Sequence, residues 1–186
     1  MSLSTVQWVS LIMGTLFLLI ISRRAILNPR RHGFFRFFAF EACLVLVAVN
    51  LPFWVRNPLS PLQVLSWILL IISILMVAAG AMTLKKLGEQ KARNNSPETY
   101  HFENTSVLVR EGIYRSIRHP MYSSLLFLAW GSWLKNISWI TTFTVLVATG
   151  AVFATARIEE AENLKTFGND YNVYIKETNM FIPYIF

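Results

Sequence analysis

Residues 120–155 read PMYSSLLFLAWGSWLKNISWITTFTVLVATGAVFAT, an apolar run broken once, at Lys135-Asn136. The run is too long for one membrane span and its break is too short for a domain. It therefore reads as a tight helical hairpin whose two arms lie antiparallel. Pro120 suits the first turn of the first arm, where its missing N–H would be unpaired in any case. The proline also holds His119 extended at or beside the cap. Pro120 to Leu134 gives about 22 Å of helix, short of the roughly 30 Å of a hydrocarbon core. With Trp130, Trp133 and Trp139 anchoring one interface, the start of this arm is drawn towards the inner membrane boundary.

Upstream, Thr5–Ser22, Phe37–Val55 and Leu62–Leu84 each approach the roughly 20 apolar residues that span a bilayer. The whole chain of 186 residues is 54% hydrophobic and 15% charged, well below the roughly 25% charged of soluble domains. These features predict an all-α integral membrane protein with about five transmembrane helices and a cytoplasmic helical extension at the C-terminus. The first span has no basic stretch before it and reads as a retained helix, not a signal peptide. One domain is expected over 1–186, with three helices in 5–84, a loop over 85–119, the hairpin over 120–156 and a tail over 157–186.

Of the 17 Lys and Arg, all but Arg56 and Lys135 fall on one side of a five-span topology. That side includes Arg23, Arg24, Arg30, Arg31 and Arg36 in the first loop. The positive-inside rule then puts the N-terminus outside, with both large loops and the C-terminus cytoplasmic. The net charge of +7 follows from this topology and from anionic headgroups, so nucleic acid is not an expected partner. Oligomeric state is not legible. The single cysteine, Cys43, allows no intramolecular disulfide. Scattered His32, His101 and His119 offer no ligand spacing, and no metal is expected.

The polar residues gather at the inner ends of the helices. His119 and Tyr122 are three apart and share a helical face. They suit a pocket at a helix N-terminus, where free N–H groups receive an anion. A capping histidine beside an interfacial aromatic gives the same pattern. Arg157, Glu159 and Glu160 lie at the inner end of the second hairpin arm, which is expected to run on through Leu164 and stop at Gly168. A solvated, salt-bridged extension would look alike, but the hairpin brings these residues against His119. A short helix over Asp170–Lys176 puts Tyr171 and Tyr174 on one face. The segment Thr105–Val109 looks extended, and Glu41, inside the second span, is read as snorkelling. Polar groups at helix ends, with unbroken spans, argue against a transporter. A non-enzymatic scaffold and a nicotinamide-dependent sterol reductase, kept open by Arg115 and Arg118, are further alternatives.

Gly112-Ile113-Tyr114, Arg118-His119-Pro120-Met121-Tyr122, Glu159-Glu160, Leu164, Phe167-Gly168, Tyr171, Tyr174 and Phe181-Ile182-Pro183 occur in that order. Over residues 105–183 this resembles the isoprenylcysteine carboxyl methyltransferase family, which is similar to the membrane phospholipid methyltransferases. Residues 1–95 match only as hydrophobic spans. The resemblance implies a membrane enzyme using S-adenosyl-L-methionine, with S-adenosylhomocysteine as product and no Rossmann sheet. It places the cofactor against the Ser106, Val107, Leu108 and Val109 backbone, Tyr114, His119, Pro120, Met121, Tyr122 and Glu159. Arg157 would serve an acceptor carboxylate, with Glu160 beside it. Ser124 stands where many relatives have glycine. The implied acceptor is lipid-linked, a prenylcysteine or a phospholipid. A carboxylate with a pKa near ~3.5 is already ionised at neutral pH and needs no general base. An amine must first lose a proton, which favours O-methylation.

Overall fold

The computed structural model describes residues 3–87 and 107–183. Helices α1 (Thr5–Ile26), α2 (His32–Asn50), α3 (Pro61–Leu87), α4 (Pro120–Trp133), α5 (Trp139–Phe167) and α6 (Asn169–Glu177) make up the bundle. Short 3-10 turns at Leu51–Phe53 and Gly112–Arg115 extend α2 and precede α4. Among the described residues there is no sheet, and Ile117 forms a lone parallel bridge to Asn179. The all-helical membrane class read from the sequence stands. His101 and the start of the extended-looking segment, Thr105 and Ser106, lie outside the described residues.

Local chemistry sets the helix ends. Ser4 and Gln7 cap α1 reciprocally, and Ser138 and Thr141 do the same for α5, each satisfying N–H groups the helix cannot. Pro120 occupies the first turn of α4. Gly168 ends α5 at φ +57°, a conformation that side chains with a Cβ rarely adopt.

Helices α1, α2 with its 3-10 extension, α3 and α5 are long and apolar enough to cross a bilayer. The fifth expected span, α4, has 14 residues, about 21 Å, and does not reach across alone. It is held instead by α3. Ser66 Oγ donates to the Gly131 carbonyl and Ser73 Oγ to the Ser124 carbonyl, both at 2.7 Å. These bonds lock two helical turns of α3 antiparallel to two of α4. Gly131 allows the approach, since a Cβ there would stand 3.0 Å from Leu70, in the small-residue packing usual between membrane helices. Apolar side chains of α1 such as Met13, Phe17 and Ile20 remain exposed, as hydrocarbon-facing residues should.

Two basic residues are placed differently from expectation. The second helix begins at His32, not Phe37, because His32 Nδ1 pairs with Glu162 Oε2 at 2.8 Å and docks that turn onto α5. Arg36 is thereby taken out of the loop and buried in α2 at 4% exposure. Lys135 does break the hairpin, but it is buried. Its Nζ donates to Gln63 Oε1 at 3.1 Å and lies 3.7 Å from the centre of the Trp67 ring, a cation–π contact that offsets its lost hydration. Burial holds its ammonium pKa below the ordinary lysine value.

Candidate functional site

The hairpin brings the first turn of α4 against the last turns of α5. Residues 159 and 160 are consecutive, so their side chains diverge by about 100° around the helix. Glu159 turns to Tyr122, whose hydroxyl donates to Glu159 Oε2. Glu160 turns the other way, where Arg118 Nε donates to its Oε1 at 2.7 Å and His119 Nε2 lies 3.5 Å off. That His119 nitrogen is buried without a hydrogen bond of good geometry. The His119 ring stacks on Tyr122 with centroids 5.4 Å apart and planes 22° from parallel.

The tail supports this corner from below. Arg118 N–H donates to Asn179 O, His119 N–H to Met180 O, and Asn179 N–H to Ser116 O. Ser123 Oγ donates to Phe181 O at 2.7 Å. Arg118 also donates to the Ile175 and Thr178 carbonyls, closing the C-terminal end of α6 onto the site. Tyr174 Oη donates to the Tyr114 carbonyl at 2.6 Å. Burial pushes the Tyr171 and Tyr174 phenols well above the usual tyrosine pKa, so both remain neutral; Tyr171 Oη accepts from Asn163 Nδ2 at 3.4 Å.

A cavity opens at this corner. Leu108, Val109, Tyr114, His119, Pro120, Met121, Tyr122 and Glu159 line it together. Val107 does not, and is 46% exposed. Arg157 and Glu160 do not line it either. The Arg157 side chain is 68% exposed and reaches only to 3.9 Å from Glu160 Oε2, while Glu160 accepts from Arg118. The cavity also takes Leu84, Arg118, Asn163, Phe167, Tyr171 and Tyr174, which sequence reasoning left unassigned. Helical spacing could have found two of them, since Asn163 and Phe167 follow Glu159 at i+4 and i+8 on one face.

Its enclosed space is about 100 Å³, less than the roughly 300–1,000 Å³ of typical ligand sites, so a nucleoside-sized ligand would extend through the open mouth. A second cavity of about 520 Å³ lies between α1, α2, α3 and α4. Its walls are mainly apolar, with Arg36, Tyr122 and Ser124 as the polar exceptions besides Cys43. Met121 and Tyr122 line both spaces.

The model of a family described as phospholipid methyltransferase matches residues 62–170, more than half of the chain. The chain belongs to that family. This bears out the likeness read from the ordered motifs and extends it upstream through α3. Two plant proteins named "Probable protein-S-isoprenylcysteine O-methyltransferase", from Oryza sativa subsp. indica and subsp. japonica, are each 27% identical over 123 residues. Those matches cover 64% of this chain and 63% of each relative, so the chain spans less than two thirds of the length of the curated relatives it matches. No solved structure matches.

The residues present suit a methylsulfonium nucleoside donor. Glu159 offers a carboxylate to a cation or a ribose, and Phe167, Tyr171 and Tyr174 offer aromatic faces. His119 Nε2 is a buried polar atom with capacity to spare.

Proposed function

We propose that this family member is an S-adenosyl-L-methionine-dependent methyltransferase. Its reaction is esterification of a lipid-linked carboxylate at the cytoplasmic membrane face, of the protein-S-isoprenylcysteine carboxyl O-methyltransferase type. One observation weighs most in favour of this reading. Tyr122 lines both a cavity bearing His119 and Glu159 and a larger, mainly apolar one, as a transfer between a polar donor and a lipid acceptor requires.

When bound, the donor supplies an electrophilic methyl group on a positively charged sulfur. Glu159 and Tyr122 would hold it at the junction, His119 would give or accept a hydrogen bond, and Leu108 and Val109 would run along it. The apolar second cavity would bring the acceptor without a shell of water, and exclusion of water together with alignment supplies much of the catalysis in an in-line displacement. Glu160 and Arg118 act as positioning residues, fixing His119 from behind. A carboxylate acceptor arrives ionised, so these residues need remove no proton.

N-methylation of a phospholipid headgroup is the second reading, favoured by the family description. Titrating the purified protein with S-adenosylhomocysteine tests both, and absence of binding eliminates both. Methyl transfer from labelled donor to farnesylcysteine analogues, phosphatidylethanolamine and small thiols separates them. Transfer to the prenylcysteine alone is the expected result.

A further inference from the structure

Among the described residues lining the second cavity, Arg36 is the one cation, and it is 4% exposed. The other polar groups are few. Ser124 Oγ is engaged with the Met121 carbonyl at 2.6 Å, and Cys43 Sγ points to the Leu125 carbonyl at 3.7 Å. From Arg36 to Val47 the wall follows α2 for about 16 Å, past Phe40 and Leu44, with Gly14 opposite. Arg36 and Tyr122 thus share the lining with a long run of apolar side chains. Its volume of about 520 Å³ falls within the roughly 300–1,000 Å³ of small-ligand sites.

A buried guanidinium is stable only among anions and acceptors. The Glu159 carboxylate is within electrostatic reach of Arg36, and so is His32 one turn earlier. A guanidinium has five donors in a planar fork, enough to serve a protein group and a ligand carboxylate together. A protonated amine in the same place would be repelled by it.

We infer that Arg36 is the anion-recognition residue of the acceptor site, pairing with the carboxylate of a single-chain lipid acid. The chain lies along Phe40, Leu44 and Val47, and the carboxylate is presented beside Tyr122. The substrate role of this site rests on the methyltransferase reading, but the recognition itself is measurable by binding alone.

The test uses full-length protein in phosphatidylcholine nanodiscs, with tritiated acetylated farnesylcysteine and its neutral carboxamide as probes. Wild type should bind the carboxylate about tenfold or more tighter than the carboxamide, as expected for a charged hydrogen-bonded pair. Arg36→Met should abolish the preference while leaving carboxamide binding within about twofold, and Arg36→Lys should retain part of it. Val47→Trp should weaken both probes together. Binding of S-adenosylhomocysteine reports that each variant is folded; should Arg36→Met fail that check, Arg36→Lys decides. An unchanged preference in the folded variant overturns the inference, as does displacement of the probe by phosphatidylethanolamine in preference to single-chain acids. A wild type that shows the carboxylate preference but transfers no methyl group overturns the methyltransferase reading alone.

Discussion

The Tyr122 hydroxyl donates to the Glu159 carboxylate across 37 residues of sequence, joining the first turn of α4 to the last turns of α5. Tyr122 also lines both the cavity at this corner and the larger apolar one. Tyr122→Phe keeps the ring and its stacking on His119 but removes the donor. A hydrogen bond to a charged group contributes about 1.5–3 kcal/mol to stability, and its loss frees the Glu159 carboxylate to turn, so affinity for S-adenosylhomocysteine should fall. Calorimetric titration measures it, and Glu159→Ala and His119→Ala should each weaken binding as well.

Arg118 and Arg157 both approach Glu160, and their substitutions should differ sharply. Arg118 is buried with its partner, and removing one member of such a pair costs about 3–5 kcal/mol. Arg118→Ala should therefore lower the melting temperature markedly. Arg157 is mostly exposed, where ion pairs contribute about 0–1 kcal/mol. Arg157→Ala should leave melting and S-adenosylhomocysteine affinity nearly unchanged. Equal effects from the two would contradict the burial asymmetry.

Phe181 is 1% exposed and packs on Phe153 with ring centroids 4.9 Å apart. Phe181→Ala should destabilise the protein by about 3–5 kcal/mol and loosen the tail that supports His119. Limited proteolysis should then cut near residue 178 sooner than in wild type.

The raised phenols predict a pH effect with a definite sign. Below the ordinary tyrosine pKa near ~10, folded and unfolded chains both keep the Tyr171 and Tyr174 protons. Above it the unfolded chain loses them while the folded one retains them, because burial holds the folded values higher. Stability contributed by these groups is present below pH about 10 and is lost as pH rises towards the folded values. Melting temperatures from pH 9 to 11 should fall, and Tyr174→Phe should flatten the fall. A slope unchanged in Tyr174→Phe would rule out that phenol as its source.

The hairpin, the continuation of α5 through Leu164, the stop at Gly168 and the short helix bearing Tyr171 and Tyr174 were legible because each depends on local signals: apolar length, a glycine, an i,i+3 spacing. That the Arg157–Glu160 end of α5 comes close to His119 followed from the hairpin alone, and it is Glu160 that lies 3.5 Å from the His119 ring nitrogen. Arg36 and Lys135 were not legible, because charge argues for solvent while tertiary partners on α3 and α5 draw them inside. The partner of Glu160 was not legible either. The buried partner is Arg118, 42 residues away, and no spacing rule finds a pair set by how the tail folds back.

The bridge between Ile117 and Asn179 also fixes an order of events during synthesis. The membrane helices leave the ribosome first and can pack as they enter the bilayer. The backbone of residues 116–119 stays without its partners until Asn179 and Met180 emerge. Donor binding is therefore expected to be withheld from nascent chains, so that competence arrives in one late step rather than by degrees.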